Sequence, residues 1–184
     1  MKIDKNYKGL VKEDNRYVFN GNIMTTENLE IDLDMSLYVT GSIKVADYII
    51  AGEDIEAGEF IKAGWSIEAG EFIEAGGSIE AGGFIKAGGP IEAGEYIEAG
   101  ESYGIIAGLS ITCKGILSFG LKAFAGICNW MEISDEDKTI TCGKLESGTI
   151  EYGILRETGV EESDDKTQEA MRLLKEKGYK IVRQ

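Results

Sequence analysis

The sequence predicts an all-β fold, a parallel β-solenoid in which a single chain winds as a triangular β-helix. The first observation is a six-residue unit, Ile-x-Ala-Gly-x-x, repeated nine times without a slip from Ile49 to Ser102. The second is the spacing of Ile and Ala, which puts both side chains on one side of a strand. The third is the regular glycine, which would destabilise a helix. A fixed short period of this kind predicts a repeat architecture.

The length of the unit predicts how the coils stack. Three units close one turn of about 18 residues, and successive turns lie about 4.8 Å apart. Ile and Ala then fill a narrow interior, and the glycine is expected to give the backbone the freedom that each corner needs. Twelve units run in phase from Ile31, and four more follow the two residues Tyr103 and Gly104. We interpret these two residues as an insertion at a corner, and we expect a stack on the order of 25 Å long, to which the caps add.

The chain divides into four parts. Residues 1–30 are predicted to form an N-terminal β cap, in which Asn20 and Gly21 turn a hairpin between residues 17–19 and 22–24. The solenoid is expected to span residues 31–128. Residues 129–160 are expected to add C-terminal strands at 131–134, 138–142 and 149–155. Residues 161–184 hold an acidic linker, a short C-terminal helix over 166–177 that ends at Gly178, and a short strand.

Composition narrows the classes of function. The net charge of −14 excludes general binding to nucleic acid or to an anionic membrane surface. Three scattered cysteines without a CxxC pair favour reduced thiols and a cytoplasmic location, in a bacterium or a phage-infected host cell. The N-terminus shows no apolar signal segment, and no apolar run is long enough to span a membrane.

The charges belong to the solenoid. Residues 31–102 contain fifteen acids and three lysines, a net charge of −12. An 18-residue coil stacks the second positions of the unit in three columns. These are Tyr38, Glu56, Glu74 and Glu92; Lys44, Lys62, Glu80 and Glu98; and Asp32, Ile50, Glu68 and Lys86. The candidate partner-binding acids are Glu53, Glu56, Glu59, Glu71, Glu74, Glu80, Glu92, Glu95, Glu98 and Glu101. The alternative is a solvated face that only keeps the protein soluble.

Apolar side chains at outward positions are candidates for self-association. Aromatic residues recur at the sixth position of the unit, and after residue 104 even the second positions become apolar. Outward apolar patches usually mark an interface. We therefore expect a homodimer contact among Phe60, Trp65, Phe72, Phe84, Tyr96, Ile106, Leu109, Ile116 and Phe124.

No catalytic chemistry is predicted. Histidine is absent, so serine and cysteine lack the usual activating base. No glycine-rich element follows a strand and opens a helix, which argues against a phosphate loop. No acid differs from its neighbours in the repeat, and the glycine-rich nonapeptide that binds calcium is missing. The sequence therefore predicts a non-enzymatic protein without a cofactor or metal.

The alternating apolar residues and frequent glycines from Ile31 to Gly126 resemble bactofilin-type repeats, which form a right-handed helix that polymerises. In architecture and charge the chain is also similar to bacterial pentapeptide-repeat proteins that mimic DNA and act on gyrase. The second resemblance implies an acidic inhibitor of a basic, nucleic-acid-binding protein of the nuclease or topoisomerase type. Phage anti-CRISPR and anti-restriction proteins are the natural class. The first implies a structural, self-associating solenoid; an enzyme or ligand-binding β-helix is a third option.

Overall fold

The computed structural model describes residues 1–159, which form an all-β parallel solenoid of about eight coils. The strands build three sheets of eight, nine and seven strands, which we call sheets A, B and C. The chain passes from A to B to C and back to A, so each coil crosses an A–B, a B–C and a C–A corner. At the strand spacing of about 4.8 Å this stack is roughly 35 Å long, longer than the repeat alone predicts.

The strands are numbered in chain order. Sheet A contains β1 (Lys2–Asp4), β5 (Leu29–Asp32), β8 (Ile49–Ala51), β11 (Ile67–Ala69), β14 (Ile85–Ala87), β17 (Ile105–Ala107), β20 (Lys122–Ala125) and β23 (Thr149–Tyr152). Sheet B contains β2 (Leu10–Lys12), β3 (Arg16–Phe19), β6 (Ser36–Val39), β9 (Ile55–Ala57), β12 (Ile73–Ala75), β15 (Ile91–Ala93), β18 (Ile111–Cys113), β21 (Thr139–Cys142) and β24 (Ile154–Glu157). Sheet C contains β4 (Ile23–Thr25), β7 (Ile43–Val45), β10 (Ile61–Ala63), β13 (Ile79–Ala81), β16 (Ile97–Ala99), β19 (Ile116–Ser118) and β22 (Lys144–Leu145).

The six-residue unit sets the register, as the sequence predicts. Ile61 of β10 pairs with Ile79 of β13, 18 residues later, and Ala63 pairs with Ala81. The repeat isoleucines are at most 1% exposed and the alanines at most 6%. Isoleucine therefore stacks on isoleucine and alanine on alanine through one continuous core. This burial is the main stabilising contribution to the fold.

The predicted insertion at Tyr103 and Gly104 is confirmed. Ile85 of β14 pairs with Ile105 of β17, so this coil contains 20 residues. The extra residues lie at a C–A corner. There the Tyr103 ring contacts Trp65 edge to face, with ring centroids 5.3 Å apart.

A second insertion, which the sequence analysis missed, changes the first part of the chain. Leu29 of β5 pairs with Ile49 and Ile31 with Ala51, so Ile31 occupies the third position of its unit and Leu29 the first. The first of the twelve predicted units is therefore wrong by two residues, whereas the predicted phase holds from Leu37 onward. Glu30, rather than Asp32, pairs with Ile50 in the outward column of sheet A. The two extra residues lie at the A–B corner between β5 and β6.

The predicted hairpin around Asn20 and Gly21 is also wrong. Strand β3 lies in sheet B and β4 in sheet C, so this turn is a B–C corner. Gly21 does adopt a positive φ of 112°, but a corner and a hairpin both make use of such a residue. The antiparallel pair at this end is instead β2 with β3, where Val11 pairs with Val18.

The C-terminal strands differ in part from the prediction. Residues 131–134 form no strand; they belong to a loop that precedes β21. The single predicted strand at 149–155 is divided by Gly153, at φ 130°, into β23 of sheet A and β24 of sheet B. The predicted linker, helix and strand of residues 161–184 lie outside the described residues. The boundaries of the four predicted parts stay a prediction.

No helix long and apolar enough to cross a membrane occurs in residues 1–159.

Candidate functional site

The outer face of sheet B carries an uninterrupted column of carboxylates. Tyr38 of β6 pairs with Glu56 of β9, Glu56 with Glu74 of β12, and Glu74 with Glu92 of β15. The side chains follow one another at the strand spacing of about 4.8 Å. The predicted column is therefore correct. Like charges directly opposite one another in a ladder are destabilising, so this arrangement works against the stability of the fold.

Acids at the two adjoining corners widen this surface. Glu53 and Glu71 lie at the A–B corner, and Glu59 and Glu95 lie at the B–C corner. We call the combined surface the acidic face; its residues are Glu53, Glu56, Glu59, Glu71, Glu74, Glu92 and Glu95. It contains seven of the ten acids that the sequence analysis selected.

Within residues 1–159, one basic side chain forms an ion pair with a carboxylate of the acidic face. Arg16 Nη1 lies 3.6 Å from Glu56 Oε2, and the guanidinium lies 4.6 Å from the centre of the Tyr38 ring. Arg16 thus compensates one end of the Glu56, Glu74, Glu92 column. Sequence reasoning missed this residue, because β3 was assigned to a hairpin instead of the coil next to β6.

The surroundings of the acidic face raise the pKa values of two of its carboxyl groups. Burial raises the pKa of Glu56 above its usual value, and Glu74 and Asp54 act in the same direction, although Arg16 opposes them. The negative charge of Asp54 raises the pKa of Glu71, with further contributions from burial and from Glu53. The face therefore holds more negative charge than its own surroundings neutralise.

Asp54 is the buried anchor of this region. It is 5% exposed; its Oδ1 accepts the Phe72 backbone N–H at 2.9 Å, and its Oδ2 accepts the Ser36 hydroxyl. One side chain thus links three successive coils at the A–B corner. Asp54 is the one acid at a sixth position of the perfect repeats, but it was not among the predicted site residues because the repeat pattern does not reveal its burial.

Sheets A and C do not share the uncompensated column. On sheet C, Lys62 forms an ion pair with Glu80, and Tyr96 donates a hydrogen bond to Glu80 at 2.5 Å. Burial alone would raise the pKa of Glu80, but the bonds from Lys62 and Tyr96 hold it below the usual value. On sheet A, Lys86 Nζ lies 2.5 Å from Glu68 Oε1, which is a second ion pair.

Three of the selected acids therefore lie away from the acidic face. Glu80 and Glu98 lie on sheet C, where they pair in register with each other, and Glu101 lies at a C–A corner. They stay predicted binding residues, but they do not form one surface with the other seven.

The residues selected for self-association are distributed around the coil. Phe60 and Tyr96 lie at B–C corners, Phe72 and Leu109 at A–B corners, Trp65 and Phe84 at C–A corners, Ile116 on β19 of sheet C, and Ile106 and Phe124 on sheet A. Trp65 at 48% and Ile116 at 42% are the exposed members, and the others are half-buried. Most of these rings pack down onto the solenoid rather than forming a single apolar patch.

The buried cysteines are poor nucleophiles. Cys113 and Cys142 occupy interior positions of sheet B, and burial raises the pKa of Cys113 to about 12 and that of Cys142 to about 11. Neither forms a thiolate at neutral pH. In residues 1–159 no three His, Cys, Asp or Glu side chains are grouped so as to hold a metal ion.

Comparison of the chain with protein-family models, with curated protein sequences and with solved structures finds no match.

Proposed function

We propose that the chain is a non-enzymatic acidic binding protein that mimics DNA and inhibits a basic, nucleic-acid-binding protein of bacteria. The single observation that supports this proposal is the acidic face, whose column of Glu56, Glu74 and Glu92 is compensated only at Arg16 within residues 1–159. The other two sheets place lysine beside glutamate, so the repeat itself can accommodate compensation. A structural role alone gives no reason for sheet B to lack a lysine beside its glutamates.

The charge density of the face supports a likeness to DNA. Seven carboxylates spread over three coils at about 4.8 Å per coil correspond to roughly one charge per 2 Å of axis. Duplex DNA carries one charge per about 1.7 Å. A groove lined by Lys and Arg in a nuclease or topoisomerase would therefore meet a similar field. In this proposal the three sheets are the sides of a triangular prism and present the face on one rigid side.

The proposed setting is the cytoplasm of a bacterium or phage-infected cell. Small, acidic, non-catalytic proteins of this kind suit an anti-CRISPR or anti-restriction role, in which the target is blocked by occupation of its DNA groove. The likeness to DNA-mimicking pentapeptide-repeat proteins is one of architecture and charge. Fold alone does not give function, so the proposal depends on the face.

A second candidate function is a self-associating structural solenoid of the bactofilin type. The observation that favours it is an apolar ridge along sheet A and its C–A corner, where Tyr48, Ile50 and Trp65 are 38%, 40% and 48% exposed. Opposed to it are β1 and β2, which occupy the edges of β5 in sheet A and β3 in sheet B, whereas sheet C ends at β4. Filaments seen by electron microscopy at physiological salt would favour this candidate over the DNA mimic.

The decisive test is charge reversal of the column. The triple variant Glu56→Lys, Glu74→Lys, Glu92→Lys is compared with the control Glu27→Lys, Asp47→Lys, Glu146→Lys, which changes the net charge equally at exposed positions of the C–A corners. Each protein is tested for capture of purified restriction endonucleases, CRISPR effector nucleases and gyrase, and for displacement of their DNA. We expect the unchanged protein and the control to capture the target, and we expect this capture to weaken at high salt. The column variant should not capture the target. Capture that survives reversal of the column would refute the proposal.

A further inference from the structure

A loop outside the repeat forms an aromatic slot at the edge of the acidic face. Ile111 of β18 pairs with Ile140 of β21, so the chain takes 29 residues, rather than 18, to return to sheet B. The base of this loop is fixed to the coil beneath it. Gly126 N–H donates to Leu109 O at 2.9 Å, and Cys128 N–H donates to Gly108 O at 3.0 Å. The loop thus lies against the A–B corner, which borders the acidic face.

The loop places Trp130 directly over Gly108. A Cβ at Gly108 would overlap the carbonyl oxygen of Gly88 and would lie 3.2 Å from Cη2 of Trp130, so the indole packs closely on the backbone of this corner. Trp130 is nevertheless 64% exposed. A cavity of about 500 Å³ lies beside it, lined by Phe72, Pro90, Leu109 and Glu71 as well as by two glycines. An exposed tryptophan held on a fixed loop beside such a cavity is typical of a binding position.

The wall of the cavity is apolar and its rim is negative. Gly89 occupies the corner position at which the two preceding coils carry Glu53 and Glu71. Backbone therefore replaces a charged side chain on the floor of the slot. Glu71 belongs to both the slot and the acidic face, and the charge of Asp54 raises the pKa of Glu71. A cation is favoured at this rim.

We propose that this slot receives one arginine side chain of the partner protein, with the guanidinium between the Trp130 indole and the Glu71 carboxylate. The inference rests on the proposed function, since it supposes a basic partner. The planar guanidinium stacks on an aromatic face and bonds a carboxylate through a fork of N–H groups. The aliphatic part of the side chain packs on Leu109 and Pro90. Lysine offers a point charge and matches the slot less well.

The test uses a single-tryptophan protein and two defined peptides. Trp65→Phe removes the other tryptophan and leaves Trp130 as the only indole. The probes are nona-arginine and nona-lysine, which have the same charge. We expect nona-arginine to shift the Trp130 indole N–H resonance and to bind about tenfold more tightly than nona-lysine, as a stacked cation contributes. Either Trp130→Ala or Glu71→Gln should reduce this ratio towards one.

The control is Leu121→Ala, which removes another exposed apolar side chain and should leave the ratio unchanged. Equal affinity for the two peptides, or an indole resonance that nona-arginine does not move, would overturn the slot. Two results together would also refute the slot and leave the acidic face standing. In that case the variant with Glu56, Glu74 and Glu92 reversed would bind neither peptide, and the preference for arginine would persist in Trp130→Ala. Failure of the acidic face is judged separately, by the capture of the target proteins.

Discussion

At the scale of the residue, the glycine of the repeat is required for close approach rather than for backbone freedom. The fourth-position glycines of the perfect repeats do not appear among the positive-φ residues of the described chain, so the expected reason is wrong. A Cβ at Gly70 would overlap the carbonyl oxygen of Gly52, and one at Gly94 would overlap that of Gly76. Each corner thus stacks on the carbonyl of the corner one coil before it. Gly52 itself has nothing within 4 Å of a Cβ, because the insertion between β5 and β6 removes that neighbour.

This difference predicts opposite outcomes for two identical substitutions. Gly70→Ala should lower the free energy of unfolding by about 2–3 kcal/mol, as overpacking does. Gly52→Ala should be neutral or stabilising by up to about 1 kcal/mol, since alanine restricts the unfolded chain. Urea unfolding followed by circular dichroism measures both. Equal destabilisation by the two variants would contradict the explanation by close approach.

Pro90 fits the same corner for a related reason. In two units the backbone N–H of the sixth position donates to a polar side chain in the coil before it: that of Phe72 to Asp54 and that of Phe84 to Ser66. The coil before Pro90 presents Phe72, which has no acceptor. Proline has no N–H to satisfy, so it suits this position.

At the scale of the element, the three outward columns differ in how they treat charge. The columns of sheets A and C each contain a Lys–Glu pair, whereas that of sheet B repeats glutamate in three successive strands. Opposite charges across a ladder stabilise it by about 0.2–1 kcal/mol, and like charges do the reverse. Sheet B therefore gives up stability that the other sheets keep, and this is the cost expected of a binding surface.

A single substitution should convert the sheet B ladder to the pattern of its neighbours. Glu74→Lys places a cation between Glu56 and Glu92 and is expected to raise the free energy of unfolding by roughly 0.5–1 kcal/mol. Lys62→Glu on sheet C, which breaks the pair with Glu80, should lower it by a similar amount. Thermal unfolding at low salt measures both changes. If Glu74→Lys destabilises the protein, the column is not under repulsion.

The raised pKa values of Glu56 and Glu71 predict an unusual dependence on pH. Both groups bind a proton more tightly in the folded chain than at their usual value of 4.5, so their ionisation disfavours folding at neutral pH. That penalty is relieved as the pH falls from neutral towards 4.5, and the melting temperature should rise over this window. Below this pH range Glu80 has the opposite effect on stability. Its pKa is lowered in the folded chain, so its protonation destabilises the fold.

Calorimetry between pH 7 and pH 5 tests this dependence. The double variant Glu56→Gln, Glu71→Gln should show a smaller rise in melting temperature than the unchanged protein. Glu80→Gln is the control and should keep the rise. A melting temperature that falls steadily from pH 7 would show that the two carboxyl groups do not govern the response.

At the scale of the whole molecule, an odd number of units in each coil determines how the corners pack. Sixth positions alternate between aromatic and small or polar residues: Tyr48, Asp54, Phe60, Ser66, Phe72, Ser78, Phe84, Pro90 and Tyr96. Because each coil contains three units, this alternation places every ring next to a smaller residue in the coils above and below. The rings have room to pack onto the corner, which explains why most of them are half-buried instead of forming an apolar patch.

The N-terminal end is another property of the whole molecule. Strands β1 and β2 cover β5 and β3, which would otherwise be open edges of sheets A and B. Open edges promote association, and repeat proteins need terminal pieces that cover them. Strands β1 and β2 thus keep the edges of β5 and β3 from pairing with another chain.

Deletion of residues 1–12 should release this protection. The truncated protein is expected to associate through β3 and β5, with a larger mass than the full chain in light scattering at equal concentration. The variant Lys5→Ala, Lys8→Ala, which lowers the positive charge but keeps both strands, should retain the mass of the full chain. An unchanged mass after truncation would mean that the two strands do not act as a cover.

The sequence by itself determined the solenoid, its 18-residue coil, and the carboxylate column of sheet B. These follow from the six-residue period, since alternation along a strand and stacking of equal coils are local rules. Only the tertiary structure decided how Leu29 and Ile140 join the stack, because insertions at corners change the register without changing the pattern of apolar residues. It also decided that Glu80 is paired while Glu74 is not, and that Trp130 lies over Gly108. Pairing, burial and close approach depend on neighbours one coil or one loop away. A periodic sequence does not show how many residues the chain takes to reach those neighbours.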